Sequence, residues 1–107
     1  MQVTMRVMQR YKITEEKEFM RLEHLFAELE RRRPDFPKGH RLKPIAATEP
    51  VNTLIWEGDF PSLDAARKAL TFFENDAEHE VLLKQQLPFF EQVRVEFYER
   101  LDQAAGT

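Results

Sequence analysis

Apolar and polar residues alternate along the first stretch of the chain. Val3, Met5, Val7, Tyr11 and Ile13 share one parity, broken only by Gln9, while Thr4, Arg6, Met8, Arg10 and Lys12 share the other. A period of two over that length predicts a β-strand, Val3 to Ile13, with one face toward a core. The period then changes. Phe19, Leu22, Phe26 and Leu29 recur at helical spacing, widened by Met20 and Leu25, which predicts an amphipathic helix. Thr14 is its expected N-cap, with Glu15 and Glu16 in the first turn, where the helix dipole favours negative charge. Arg31, Arg32 and Arg33 suit the carbonyl end, and Pro34 stops the helix.

Pro34 to Arg41 reads as a loop punctuated by Pro37 and Gly39. Leu42 to Thr48 is predicted as a short strand, and Pro44, which has no backbone N–H, places it at a sheet edge. Thr48-Glu49-Pro50 turns the chain into a third strand, Val51 to Trp56. Val51 and Ile55 lie on one side of it, Leu54 and Trp56 on the other, so both faces are expected to be covered. Glu57-Gly58-Asp59 is predicted as a turn, and Ser62 as the N-cap of a helix carrying Ala66, Ala69, Leu70 and Phe73 on one stripe. Asn75-Asp76 marks a break and a new N-cap. A further helical piece, Ala77 to Leu87, has Val81, Leu82 and Leu87 apolar and ends at Pro88. The last strand, Glu91 to Leu101, sets Val93, Val95, Phe97 and Leu101 against Gln92, Arg94, Glu96, Tyr98 and Arg100. The tail, Asp102 to Thr107, is expected to fray.

Strand, helix, strand, strand, helix, strand is the order of the ferredoxin-like βαββαβ arrangement. The expected class is α+β, with one four-stranded antiparallel sheet and the helices on one face. The opposite face would carry Arg6, Met8, Arg10, Arg94, Glu96 and Tyr98 with one parity of the third strand. It is too apolar in the third strand for water and too polar elsewhere for a second core. A second copy facing it across a partly wet cavity satisfies both, so a homodimer is expected. A monomer with a solvated sheet face is the alternative.

Composition narrows the field. The 107 residues suffice for one domain, 1–107, with no linker or repeat. With 42% hydrophobic and 33% charged residues the chain is of globular type. The absence of cysteine excludes disulfides, thiolate chemistry and cysteine-ligated metals. No apolar run spans a bilayer, and Arg6 and Arg10 interrupt any signal-peptide core, so a cytoplasmic protein without membrane association is expected. The net charge of -3 gives no pull toward nucleic acid. The basic run from Arg31 through Lys43 is interrupted by Asp35 and explained by helix-end complementation.

Three passages carry a family resemblance: Arg10-Tyr11, the segment WEGDFPSLDAARKAL from Trp56 to Leu70, and LPFFEQVRVEFYERL from Leu87 to Leu101. Over nearly its whole length the chain resembles the dimeric α+β barrel superfamily, in particular NIPSNAP-like domains and antibiotic-biosynthesis monooxygenases. The resemblance implies a dimeric α+β barrel and a cofactor-independent oxygenase, isomerase or lyase. It also departs from the pattern. Thr14-Glu15 stands where NIPSNAP-like sequences carry Pro-Gly. The helix histidine of haem-degrading relatives falls at Ala69, which offers no axial ligand to haem iron. No cofactor is therefore expected.

The candidate chemistry is sparse. Arg6, Arg10 and Arg94 share the open sheet face. They form either an anion clamp for a carboxylate, enolate or phenolate or a set of ion pairs with Glu96 and other carboxylates, the second being the commoner use of such residues. Tyr98 would donate to a bound oxygen or line an interface. Trp56 would stack on an aromatic ligand or anchor a core. His40, leading into the edge strand, is the candidate general base. His24 is expected at the surface. Glu78-His79-Glu80 reads as a solvated helix surface, because neighbouring helix residues point apart, and no histidine has the spacing of a metal site. The function expected is binding of an apolar or aromatic small molecule in a cavity on the sheet face. The alternative is a non-catalytic dimerisation or interaction module.

Overall fold

The computed structural model describes residues 1–102; the expected fraying from Gln103 onward lies outside the described residues. The chain runs β1 (Val3–Tyr11), α1 (Glu16–Arg32), β2 (His40–Leu42), β3 (Thr53–Phe60), α2 (Leu63–Asn75), α3 (Ala77–Gln86) and β4 (Phe90–Glu99). Short 3-10 turns precede α1, at Ile13–Glu15, and β4, at Leu87–Phe89. The four strands form one antiparallel sheet in the order β2-β3-β1-β4. The predicted ferredoxin-like α+β fold is therefore present.

The register sorts the two faces. Val7 pairs with Trp56 and Val95, so these three share the helix-covered face with Met5 and Phe97. Met8 pairs with Ile55 and Arg94 on the open face. The core has two clusters. One joins Val3, Met5 and Trp56 to Ala66 and Ala69 of α2, the other Tyr11 and Leu54 to Phe19 of α1. Ala66 and Ala69 are small, so α2 can settle close to the sheet.

Several expected boundaries move. Ile13 leaves the strand and stands exposed, because Lys12 bonds through its N–H to the Phe89 carbonyl and the chain turns at once into the 3-10 segment. Thr14 falls inside that segment, so it does not cap α1; Glu15 occupies the position without a side-chain bond. The edge strand covers only His40–Leu42, ending before Pro44 rather than running through it. Glu57-Gly58-Asp59 is strand, not turn. Gly58 is there because Trp56 folds over it: a Cβ at this position would lie 2.6 Å from the indole Cη2. Val81 of α3 and Leu87, which falls in the 3-10 turn after it, are exposed, and Gln86 is the buried residue of α3. Leu101 lies beyond β4 and is exposed.

Ser62 caps α2 as expected, accepting the Ala65 N–H at 3.0 Å. Asp76 caps α3 in the same way, accepting the His79 N–H at 3.0 Å. No helix among the described residues is long and apolar enough to cross a membrane.

A polar-ended cavity between helices and sheet

A cavity of about 310 Å³ lies between the helices and the covered face of the sheet. Its walls are largely apolar: Val7, Trp56 and Val95 from the sheet, Phe26 from α1, Phe73 from α2 and Phe36 from the α1–β2 loop. Leu87 and Val93, both exposed, mark its open side.

Trp56 is held on several sides. Its ring covers Gly58, and Gly39 in the loop before β2 sits so close that a Cβ there would collide with the indole. Phe73 meets it edge-on at a ring-centroid distance of 5.4 Å. The indole N–H donates to the Glu30 carboxylate at 3.0 Å. Two residues without side chains thus let the backbone close around the largest aromatic in the chain, and a carboxylate fixes its orientation.

Glu30 belongs to a buried polar group. Glu23 and Glu30 stand two helical turns apart on α1, on the flank of its apolar stripe, and both are buried. Arg41 of β2 bridges them: Nε donates to Glu23 Oε2 at 2.7 Å and Nη1 to Glu30 Oε1 at 3.3 Å. Gln86, at the end of α3, is 1% exposed and donates to Glu23 Oε1 at 3.1 Å. The Gly39 N–H donates to Glu30 Oε2 at 3.2 Å. Each buried carboxylate is therefore supplied with donors, as burial of charge demands.

His79 enters the same cavity from the first turn of α3. Its ring packs against Phe26 at 4.9 Å and Phe73 at 5.3 Å between centroids, with Phe36 beyond. The reading of His79 as part of a solvated helix surface is thus corrected. The helix starts at Asp76, and Arg33 at the end of α1 holds that carboxylate at 2.8 Å, which turns His79 inward. Nδ1 is buried without a hydrogen-bond partner. Burial pushes the imidazole pKa below its ordinary value, with the Asp76 charge opposing, so the ring is neutral at pH 7.

The residues predicted from sequence divide between the two faces. Trp56 lines the cavity, whereas Arg6, Arg10, Arg94 and Tyr98 lie together on the open sheet face. There each has an ion-pair or hydrogen-bond partner. Arg6 binds Glu57 at 2.6 Å beneath the Tyr98 ring, Arg10 approaches Glu91 at 3.5 Å, and Arg94 holds Glu49 and Glu96. Tyr98 donates to Glu96 at 2.6 Å, which raises its pKa. His40 is exposed and its Nε2 lies 3.0 Å from Glu57 Oε2. Among the described residues no group of three or more His, Asp or Glu side chains is placed to hold a metal ion.

Glu23, Glu30, Arg41, Gln86 and the inward His79 were not predicted. A signal did exist for two of them. Phe19, Glu23, Phe26 and Glu30 follow one another at helical spacing, so two carboxylates interrupt an apolar stripe.

No family model and no curated protein matches the chain. Solved structures do. A NIPSNAP family protein from Agrobacterium tumefaciens superposes with a TM-score of 0.77 at 12% identity, over 96% of each chain. A NIPSNAP-like domain protein from Burkholderia xenovorans gives 0.77 at 9% identity, over 96% of this chain and 88% of that one. SnoaB, a cofactor-independent oxygenase from Streptomyces nogalater, gives 0.62 at 15% identity, over 92% of each. The fold is that of the NIPSNAP and antibiotic-biosynthesis-monooxygenase group of α+β domains, as the sequence resemblance implied. Likeness at these identities is a likeness of fold, and the site residues stand on their own geometry.

Proposed function

We propose that the protein binds an apolar or aromatic small molecule in the cavity between its helices and sheet. The observation that carries this is the cavity itself. Its volume falls at the lower end of ligand pockets, and largely apolar walls are joined by a few polar groups. Space of that size suits a ligand of about two rings. Trp56 and Phe73 supply flat walls, and Glu30, Arg41, Gln86 and His79 supply polar groups. His79 adds a neutral imidazole ring to the cavity wall. The oxygenase fold of SnoaB supports a reading in which a bound aromatic is also transformed without a cofactor.

The chain's one tryptophan is the reporter. Titration with a neutral aryl-alkyl alcohol is expected to shift Trp56 emission, saturate at one ligand per chain and raise Tm. If neither emission nor Tm responds to any member of a panel of such amphiphiles, the cavity is a packing gap and the reading falls.

The second part of the proposal concerns the open sheet face. No helix covers it, Tyr98 stands exposed on it, and Ile45 and Val51 of the adjoining β2–β3 connection are exposed apolar side chains. These features support pairing of two copies through this face.

A further inference from the structure

The cavity walls carry unequal charge. Among the described residues that line it are three carboxylates, Glu23, Glu30 and Glu74, and one guanidinium, Arg41. Arg41 is already shared between Glu23 and Glu30. Every other partner of those two carboxylates is a neutral donor: the Trp56 indole, the Gln86 amide and the Gly39 N–H. Of the cations close by, Lys38 is exposed and donates to the main-chain carbonyls of Glu30 and Arg33, and Arg33, over the Phe36 ring, is held by Asp35, Asp76 and Glu78. Arg6, Arg10 and Arg94 lie on the other side of the sheet, each held by its own carboxylate. One buried negative charge therefore has no cation of its own.

The apolar walls point the same way. Trp56, Phe26, Phe36 and Phe73 border the same space. Aromatic faces attract cations through their quadrupoles, more strongly when water is excluded. A carboxylate entering this space would meet two buried carboxylates and an arginine already engaged. An ammonium would meet an excess of carboxylates over cations, and ring faces.

We propose that the occupant is an organic cation: a protonated amine on an aryl or alkyl body. The amine seats toward Glu23 and Glu30, and the body lies along Trp56 and Phe73. The inference rests on the cavity being the binding site.

Three probes with one skeleton test it: 4-phenylbutylamine, 4-phenylbutan-1-ol and 4-phenylbutyrate, titrated at neutral pH by calorimetry with Trp56 emission in parallel. The amine is expected to bind about tenfold more tightly than the alcohol, and the acid more weakly than either. Glu30→Gln and Glu23→Gln, each of which removes one charge with little change of shape, are expected to lower amine affinity by about tenfold and to shrink the preference for amine over alcohol. Equal affinities for amine and alcohol, or tightest binding of the acid, overturn the proposal while leaving the cavity as a binding site. Failure of all three probes removes the binding site and the proposal together. The wild-type series stands even if neither variant folds.

Discussion

His79 has its ring inside an aromatic cluster and its helix start tied down by Asp76 and Arg33. Burial lowers its pKa in the folded protein. The unfolded chain therefore takes up this proton at higher pH, near 6.5, than the folded one does. Stability from the neutral ring is present above that value and is lost as pH falls through the folded pKa. Thermal melts are expected to show Tm declining from about pH 6.5 downward, and His79→Phe is expected to flatten that decline until the carboxylates titrate. An unchanged slope in the variant would mean that other groups set the acid limb. Gly58 allows a second test. Gly58→Ala drives a methyl group into the Trp56 ring and is expected to cost about 1–3 kcal/mol by urea denaturation, with red-shifted emission. Pairing it with Trp56→Leu should recover part of the loss, because the clash is removed. Neither residue's role was legible in the sequence. His79 is flanked by Glu78 and Glu80 and so looks solvated, and Gly58 sits between two acids and so looks like a turn. Both readings weighed neighbours in sequence, whereas Phe36, Phe73 and Trp56, which decide the matter, arrive from other elements.

Among the elements, α2 and α3 differ in what their caps hold. Ser62 accepts one N–H and has no charged partner. Asp76 accepts one N–H and also receives Arg33, which brings in the end of α1. Ser62→Ala is expected to cost about 1 kcal/mol. Asp76→Ala should cost more, since it also frees Arg33 and lets the start of α3 shift, and only Asp76→Ala should weaken ligand binding through His79. Equal costs with unaltered binding would show that the Arg33 link does not position the helix. The caps of α2 and α3, the apolar stripes of α1 and α2 and the alternation of β1 were readable, because each depends on residues within one or two turns of one another. Strand ends were less readable. β3 runs on to Phe60 because Glu57 and Asp59 point to the open face, where Arg6 and Thr4 bind them, and Gly58 fits under Trp56. Pairing with β1 converted three turn-forming residues into strand.

The whole molecule is a thin slab, 19 Å in its shortest dimension, so its two sheet faces serve separate purposes. The covered face holds the cavity. The open face holds ion pairs, with the Arg6 guanidinium 4.8 Å from the centre of the Tyr98 ring. If two copies pair through the open face, native mass spectrometry should find a species at twice the 12.8 kDa chain mass. Tyr98→Arg places a second guanidinium beside Arg6, and also opposite its symmetry mate wherever the faces approach. Because Tyr98 is exposed, the fold should tolerate the change, and the like charges are expected to shift the equilibrium to monomer. Ligand binding should survive in that monomer, since no residue of the open face lines the cavity. Loss of binding on dissociation would mean that the second copy closes the open side near Leu87 and Val93. A wild-type chain already monomeric would mean that Arg6, Arg94 and their carboxylates are enough to keep the open face in water.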